Sequence, residues 1–131
     1  MNSKVLFITP HDQDADSLTK MLAGSRPIVH ARSLKEAAGK LSASDFGVVL
    51  TEANLEDGTW LDVLELSSRF GMQVVVTEAW ADARFWAKAI NLGAFDLVVQ
   101  PFRAVEVSRV LASACAQRQM VKAAAVAALA V

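Results

Sequence analysis

A chain of 131 residues, 53% of them hydrophobic, is long enough for one domain with a substantial core and too short for two. Its formal net charge of −1 provides no basic field to hold nucleic acid or an anionic membrane, so neither is expected as a direct partner. The only cysteine, Cys115, sits among Ala112, Ala114 and Ala116 as a small apolar filler rather than a metal ligand or disulfide partner.

No charged stretch with an apolar segment behind it precedes the first apolar run, and a cytoplasmic location is expected. That run, residues 5–8, reads as a strand, and the segment 14–22 with Gly24 behind it as a helix. Asp12 and Asp14 are expected at the helix start, complementing the dipole and capping free N–H groups. Residues 27–31 form a second strand, and Ser33-Leu34-Lys35-Glu36 is a capping box opening a helix to Leu41. The third run, 47–50, leads into Thr51 and Glu52, which strand alternation turns to opposite faces. Leu55-Glu56-Asp57-Gly58 reads as a turn, with Asp-Gly there for local backbone reasons. Thr59 can cap a helix over 60–69, residues 73–76 form a fourth strand, and a helix over 82–92 stops at Gly93. A fifth strand, 95–99, runs into Gln100-Pro101. Val107, Val110, Leu111 and Ala114 then recur at helical spacing in a last helix from about Ala104, continued by an Ala-rich end. The apolar tail 123–131 is far short of the ~20 residues that span a bilayer.

Mostly continuous apolar runs suit strands buried on both faces, and strict alternation of strand and helix implies a right-handed parallel sheet covered on both sides. The expected fold is therefore α/β, a five-stranded doubly wound sheet. In such sheets function gathers at the carboxyl ends of the strands, here the loops that begin at Thr9, Glu52, Glu78 and Gln100.

The run from Gly93-Ala94-Phe95-Asp96 through Val99-Gln100-Pro101-Phe102 resembles the last strand of bacterial response-regulator receiver domains. The run 5–8 with 16–22 is similar to their first strand and helix, and 48–58 to their acceptor strand and loop. The resemblance covers essentially residues 4–120. It implies a flavodoxin-like receiver domain over 1–120, strand order 2-1-3-4-5, with 121–131 as a helical extension or linker. That extension reads equally as a dimer contact, a linker toward an output domain, or a frayed end.

Receivers hold Mg²⁺ with two carboxylates after the first strand and the acceptor aspartate, and a lysine before the proline contacts the phosphorylated aspartate. At the matching positions this chain carries Thr9 and Pro10, Glu52, and Gln100 before Pro101. Only the neighbouring His11 and Asp12 remain as donors, one and two positions late, so Mg²⁺ binding is expected to be weak or lost, because that ion demands octahedral oxygen coordination. No other metal, cofactor or catalytic residue is expected. Glu52 extends one methylene beyond aspartate, which misplaces an attacking oxygen. It either imitates a phosphoaspartate or is a solvated strand-end carboxylate. An ungapped register puts Glu78 where receivers carry the switch Thr or Ser, and a one-residue insertion would restore Thr77. Glu52 and Glu78 would then gather negative charge without a counter-ion and disfavour a phosphoryl group. Leu97 replaces the switch aromatic, with Phe95 two residues earlier expected on the same face. Asp57, a second acidic candidate in the loop after Glu52, reads as turn chemistry rather than as an acceptor.

The resemblance thus implies a degenerate receiver, or pseudo-receiver, in two-component (phosphorelay) signal transduction. It would be a non-enzymatic, phosphorylation-independent protein-interaction module. The alternative is an operating receiver phosphorylated at an atypical residue by a histidine kinase. A third possibility, a small-ligand module of the same architecture, lacks any Gly-x-Gly-x-x-Gly or P-loop cradle. Expected partners are a protein or fused output domain, a histidine kinase, or a second copy. The interaction surface is expected at Trp80, Phe85 and Trp86 on the fourth helix together with Leu97, and Trp60 as a lid over the acceptor site.

Overall fold

Residues 3–129 are described by the computed structural model. The continuous apolar runs become strands β1 (Val5–Ile8), β2 (Ile28–Ala31), β3 (Val48–Glu52), β4 (Val74–Glu78) and β5 (Asp96–Val99). They form one sheet in the order β2-β1-β3-β4-β5, with every pairing parallel. Every position of β1 and β3 is buried, as expected of central strands with helices on both faces.

Helices α1 (Asp12–Met21) and α5 (Ala104–Leu129) cover one face; α2 (Leu34–Ala43), α3 (Trp60–Ser68) and α4 (Ala83–Asn91) cover the other. Strand alternation divides the core accordingly. Val5, Phe7, Val48, Leu50, Val75 and Val98 pack against Leu18, Val107, Val110 and Leu111. Leu6, Ile8, Val49, Val74, Val76 and Leu97 pack against Ala37, Leu41, Val63 and Ala89. A Cβ on Gly47, which leads into β3, would meet Ser3 and lie 2.7 Å from the Cys115 sulfur, so α5 seats this close only because that position is glycine.

The helix ends follow their local chemistry. Ser33 accepts a hydrogen bond from the Glu36 N–H, Thr59 and Asp62 cap reciprocally, Asp82 accepts from the Phe85 N–H, and Gly93 stops α4 with φ 111°. Asp12 and Asp14 do lie in the first turn of α1, yet their partners are side chains: Asp12 pairs with Arg32, and Asp14 faces His11.

Several expectations are corrected. Asp57 sits in the turn of a small hairpin (Asn54–Leu55 with Gly58–Thr59), but its carboxylate accepts the N–H groups of Leu34 and Lys35 at 2.8 and 3.0 Å. It therefore caps α2 across space, and these two bonds hold its carboxyl below the usual range. Trp60 is no lid: it is buried in the core with its ring 5.7 Å from Phe85. Leu97 is also buried and cannot be a contact surface. Phe95 precedes β5 and packs on the opposite side of the sheet from Leu97. Trp80 belongs to the turn before α4, not to the helix, and is 91% exposed; Trp86 is half exposed and Phe85 packs inward.

The buried face of α5 ends at Arg118, a residue the apolar pattern did not single out, whose guanidinium donates to Asp45 at 3.0 Å. The helix continues unbroken past position 120, and residues 119–129 are all exposed. Residues 130–131 of the expected extension lie outside the described part. Among the described residues no helix is long and apolar enough to cross a membrane.

Candidate functional site

The carboxyl ends of β1, β3, β4 and β5 open onto a cavity of about 200 Å³ lined by His11, Asp14, Glu52, Thr77, Glu78, Trp80 and Gln100 among others. Glu52 ends β3 and its side chain is only 10% exposed, so it is not a solvated strand-end carboxylate. One carboxylate oxygen lies 2.8 Å from His11 Nδ1, and the other accepts from Gln100 Nε2 at 3.1 Å. Asp14, one helical turn beyond His11, lies 3.6 Å from the same imidazole nitrogen.

The loop after β1 sets this geometry. Thr9 Oγ1 accepts the His11 N–H at 3.0 Å and fixes that residue at the entrance to α1. The Pro10 carbonyl accepts from Arg32, and the Thr9 carbonyl is 2.8 Å from His30 Nε2. Across the cavity the Gln100–Pro101 peptide is cis. Pro101 borders a neighbouring depression shared with Asp14 and Phe102.

Electrostatics follow from the shared carboxylate. Hydrogen bonding to Glu52 raises the His11 pKa and outweighs the opposing effect of burial. The same acid, by hydrogen bonding, raises Asp14 to about 6, with burial adding to the shift. Burial pushes Glu52 upward, but hydrogen bonds from Asp14, Gln100, His11 and Thr9 outweigh it and hold its carboxyl below the usual range. The expected gathering of Glu52 and Glu78 without a counter-ion is thus replaced by a different set. Glu78 turns back to accept the Ala79 N–H at 2.9 Å, while Asp14 and His11 are the groups that engage Glu52.

Of the pocket residues expected from sequence, Glu52, Thr77, Glu78 and Gln100 line the cavity, and Thr9 and Pro10 stand behind it as backbone supports. Thr77 is the residue directly across the sheet from Glu52. Its hydroxyl is buried without a hydrogen-bond partner. Asp14 as a site residue, and His11 as the partner of Glu52, were not legible from the strand-end pattern. Their spacing of three at a helix start, directly after a strand end, was the available signal, since it places both on one face of the first turn.

The fold implies Mg²⁺, and the donors fit that ion poorly. Thr9 already uses its hydroxyl oxygen on the His11 N–H, Pro10 offers no side-chain oxygen, and the group beside Glu52 is an imidazole. Such a set does not make the all-oxygen octahedron Mg²⁺ requires.

No protein-family model and no curated protein matches the sequence. Solved structures do match in shape, and the fold is that of the response-regulator receiver domains. The signal receiver domain of a Luxo repressor protein from Vibrio parahaemolyticus superimposes with a TM-score of 0.84 at 16% identity, over 95% of this chain and 98% of that one. The signal receiver domain of an HD domain-containing protein from Pseudomonas fluorescens Pf-5 gives 0.81 at 18% identity, covering 92% and 99%. The beryllofluoride-activated NtrC4 receiver domain dimer gives 0.78 at 20% identity, covering 88% and 98%.

Proposed function

We infer that this chain is a receiver-type signalling module that works without phosphoryl transfer, as a non-enzymatic protein-interaction domain in a two-component pathway of the cytoplasm. The observation that carries this is the state of Glu52: at the acceptor position, both of its oxygens are already engaged, by His11 at 2.8 Å and Gln100 at 3.1 Å. An attacking oxygen must be free and aligned, and small misplacements cost rate heavily. A phosphoryl group would also arrive in a lining that holds Asp14 and Glu78, where the basic side chain of that lining, His11, is already held by Glu52.

Output then falls to surface. Trp80, 91% exposed, stands at the cavity mouth, and half-exposed Trp86 follows on α4. Tryptophan is favoured at binding hot spots, which makes this rim the contact for a protein partner, a histidine kinase or an output domain. A second copy is a further candidate, since the similar NtrC4 receiver is a dimer.

Incubation with acetyl phosphate or phosphoramidate and Mg²⁺, read by intact mass, tests this. No phosphoryl adduct is expected on the parent. An adduct that disappears in Glu52→Ala or Asp57→Ala overturns the inference and establishes the operating-receiver alternative with its acceptor.

A further inference from the structure

We propose that His11, Asp14 and Glu52 form a binding site for a borderline divalent transition ion, with Zn²⁺ as the probe, at the rim of the strand-end cavity. It is not the magnesium site of the fold, whose paired-acid positions here hold Thr9 and Pro10; two of its donors come instead from the N-cap and the first turn of α1.

The donor chemistry and spacing carry the proposal. One imidazole nitrogen and one oxygen from each of two carboxylates all lie within 4.8 Å of one another. A tetrahedral Zn²⁺ with bonds of about 2.0–2.2 Å holds its donors about 3.3–3.6 Å apart. The observed His11–Glu52 and His11–Asp14 separations, 2.8 and 3.6 Å, lie within about 0.5 Å of that range, and the Asp14 and Glu52 oxygens lie no more than 4.8 Å apart, so modest side-chain adjustments close the three donors on an ion. Imidazole suits Zn²⁺ and its neighbours in the transition series, whereas Mg²⁺ keeps to oxygen. Of the chain's two histidines, His30 is committed to the Thr9 carbonyl and only His11 lines the cavity.

A second observation is independent of the cluster. Thr77 lines the same cavity, is fully buried, and its hydroxyl has no hydrogen-bond partner. A buried hydroxyl left unpaired is costly. Three protein donors leave a tetrahedral ion one open position, and a water or ligand atom held there supplies what the Thr77 hydroxyl lacks. The surrounding bonds also suit a metal centre: Gln100 orients the Glu52 carboxylate, and Thr9 fixes the His11 backbone.

The test is calorimetric titration of the tag-free full chain with Zn²⁺ and, separately, Mg²⁺, followed by Co²⁺ substitution and its visible absorption. One Zn²⁺ per chain is expected, with affinity lowered at least about tenfold in His11→Ala and in Glu52→Gln. Mg²⁺ should be silent at the same concentrations, and the Co²⁺ band should be absent from His11→Ala. The His11 side chain is 66% exposed, so its removal spares the core, and circular dichroism verifies folding of each variant. Absence of Zn²⁺ binding to the parent, undiminished binding by His11→Ala, or equal binding of Mg²⁺ overturns the proposal. The outcome is separable from that of the phosphorylation test: an adduct with zinc binding sinks only the function inferred above, and no adduct without zinc binding sinks only this site.

Discussion

Placing a carboxylate in the wall of a small cavity makes its neighbours respond to it, and at Glu52 the response should be measurable as pH-dependent stability. His11 gains a carboxylate partner, so its cationic form favours folding below the ordinary imidazole range and that contribution is lost as pH rises through the raised pKa. Asp14 binds its proton more tightly in the folded state, at about 6 against an ordinary 3.8, so its contribution also falls as pH rises across that window. Glu52 acts in the opposite sense, and only below the ordinary glutamate range, where protonation undoes its hydrogen-bonded anion. The Asp14 contribution falls between about pH 4 and 6, and that of His11 follows above the ordinary imidazole range. The melting temperature should therefore be higher near pH 5.5 than near pH 8, by a modest amount because His11 and Asp14 are partly exposed and solvent-screened. Glu52→Gln removes the carboxylate both groups respond to and should flatten the profile. A parent whose melting temperature does not fall over this interval would contradict the assigned hydrogen bonding.

At the scale of elements, α2 shows how a single loop residue can serve a distant helix. Ser33 satisfies one N–H of its first turn, and Asp57, brought over by the hairpin after β3, satisfies those of Leu34 and Lys35. Free N–H groups at a helix start are satisfied by such acceptors, and removing a cap costs about 0.5–2 kcal/mol. Asp57→Ala should thus lower the unfolding free energy by about 1 kcal/mol in a urea titration, with the slope unchanged. An unchanged midpoint would mean that Ser33 alone suffices. The caps at Ser33, Thr59 and Gly93 were legible because each acts on its own helix within a few residues. The Asp57 cap was not, since its target lies 22 and 23 residues away in sequence.

For the whole molecule, the sheet and its covering helices form the packed unit, and α5 outlasts it. Burial along α5 stops at Arg118, and beyond it Met120, Val126 and Leu129 are 67%, 68% and 86% exposed. Exposed positions away from special contacts usually change stability by no more than about 0.5 kcal/mol, so deleting residues 120–131 should leave the unfolding free energy within about that margin. A larger fall, accompanied by a smaller sedimenting species, would show that the extension is buried against a second copy.

The alternation of strands and helices, their order and their approximate ends were determined by sequence alone, because each rests on local periodicity, β-branched runs and capping residues. The presence of Thr9, Pro10, Glu52 and Gln100 at the strand ends was equally legible, being a matter of position along the chain. What a side chain touches was decided only by tertiary structure. Both faces of the sheet are covered, so an apolar residue such as Leu97 reads the same whether it meets a helix or a partner, and only packing under α4 buries it. Trp60 and Trp80 are alike in sequence terms, yet one fills the core beside Phe85 and the other stands in solvent. The pairing of His11 with Glu52 spans 41 residues and exists because parallel pairing brings the ends of β1 and β3 side by side.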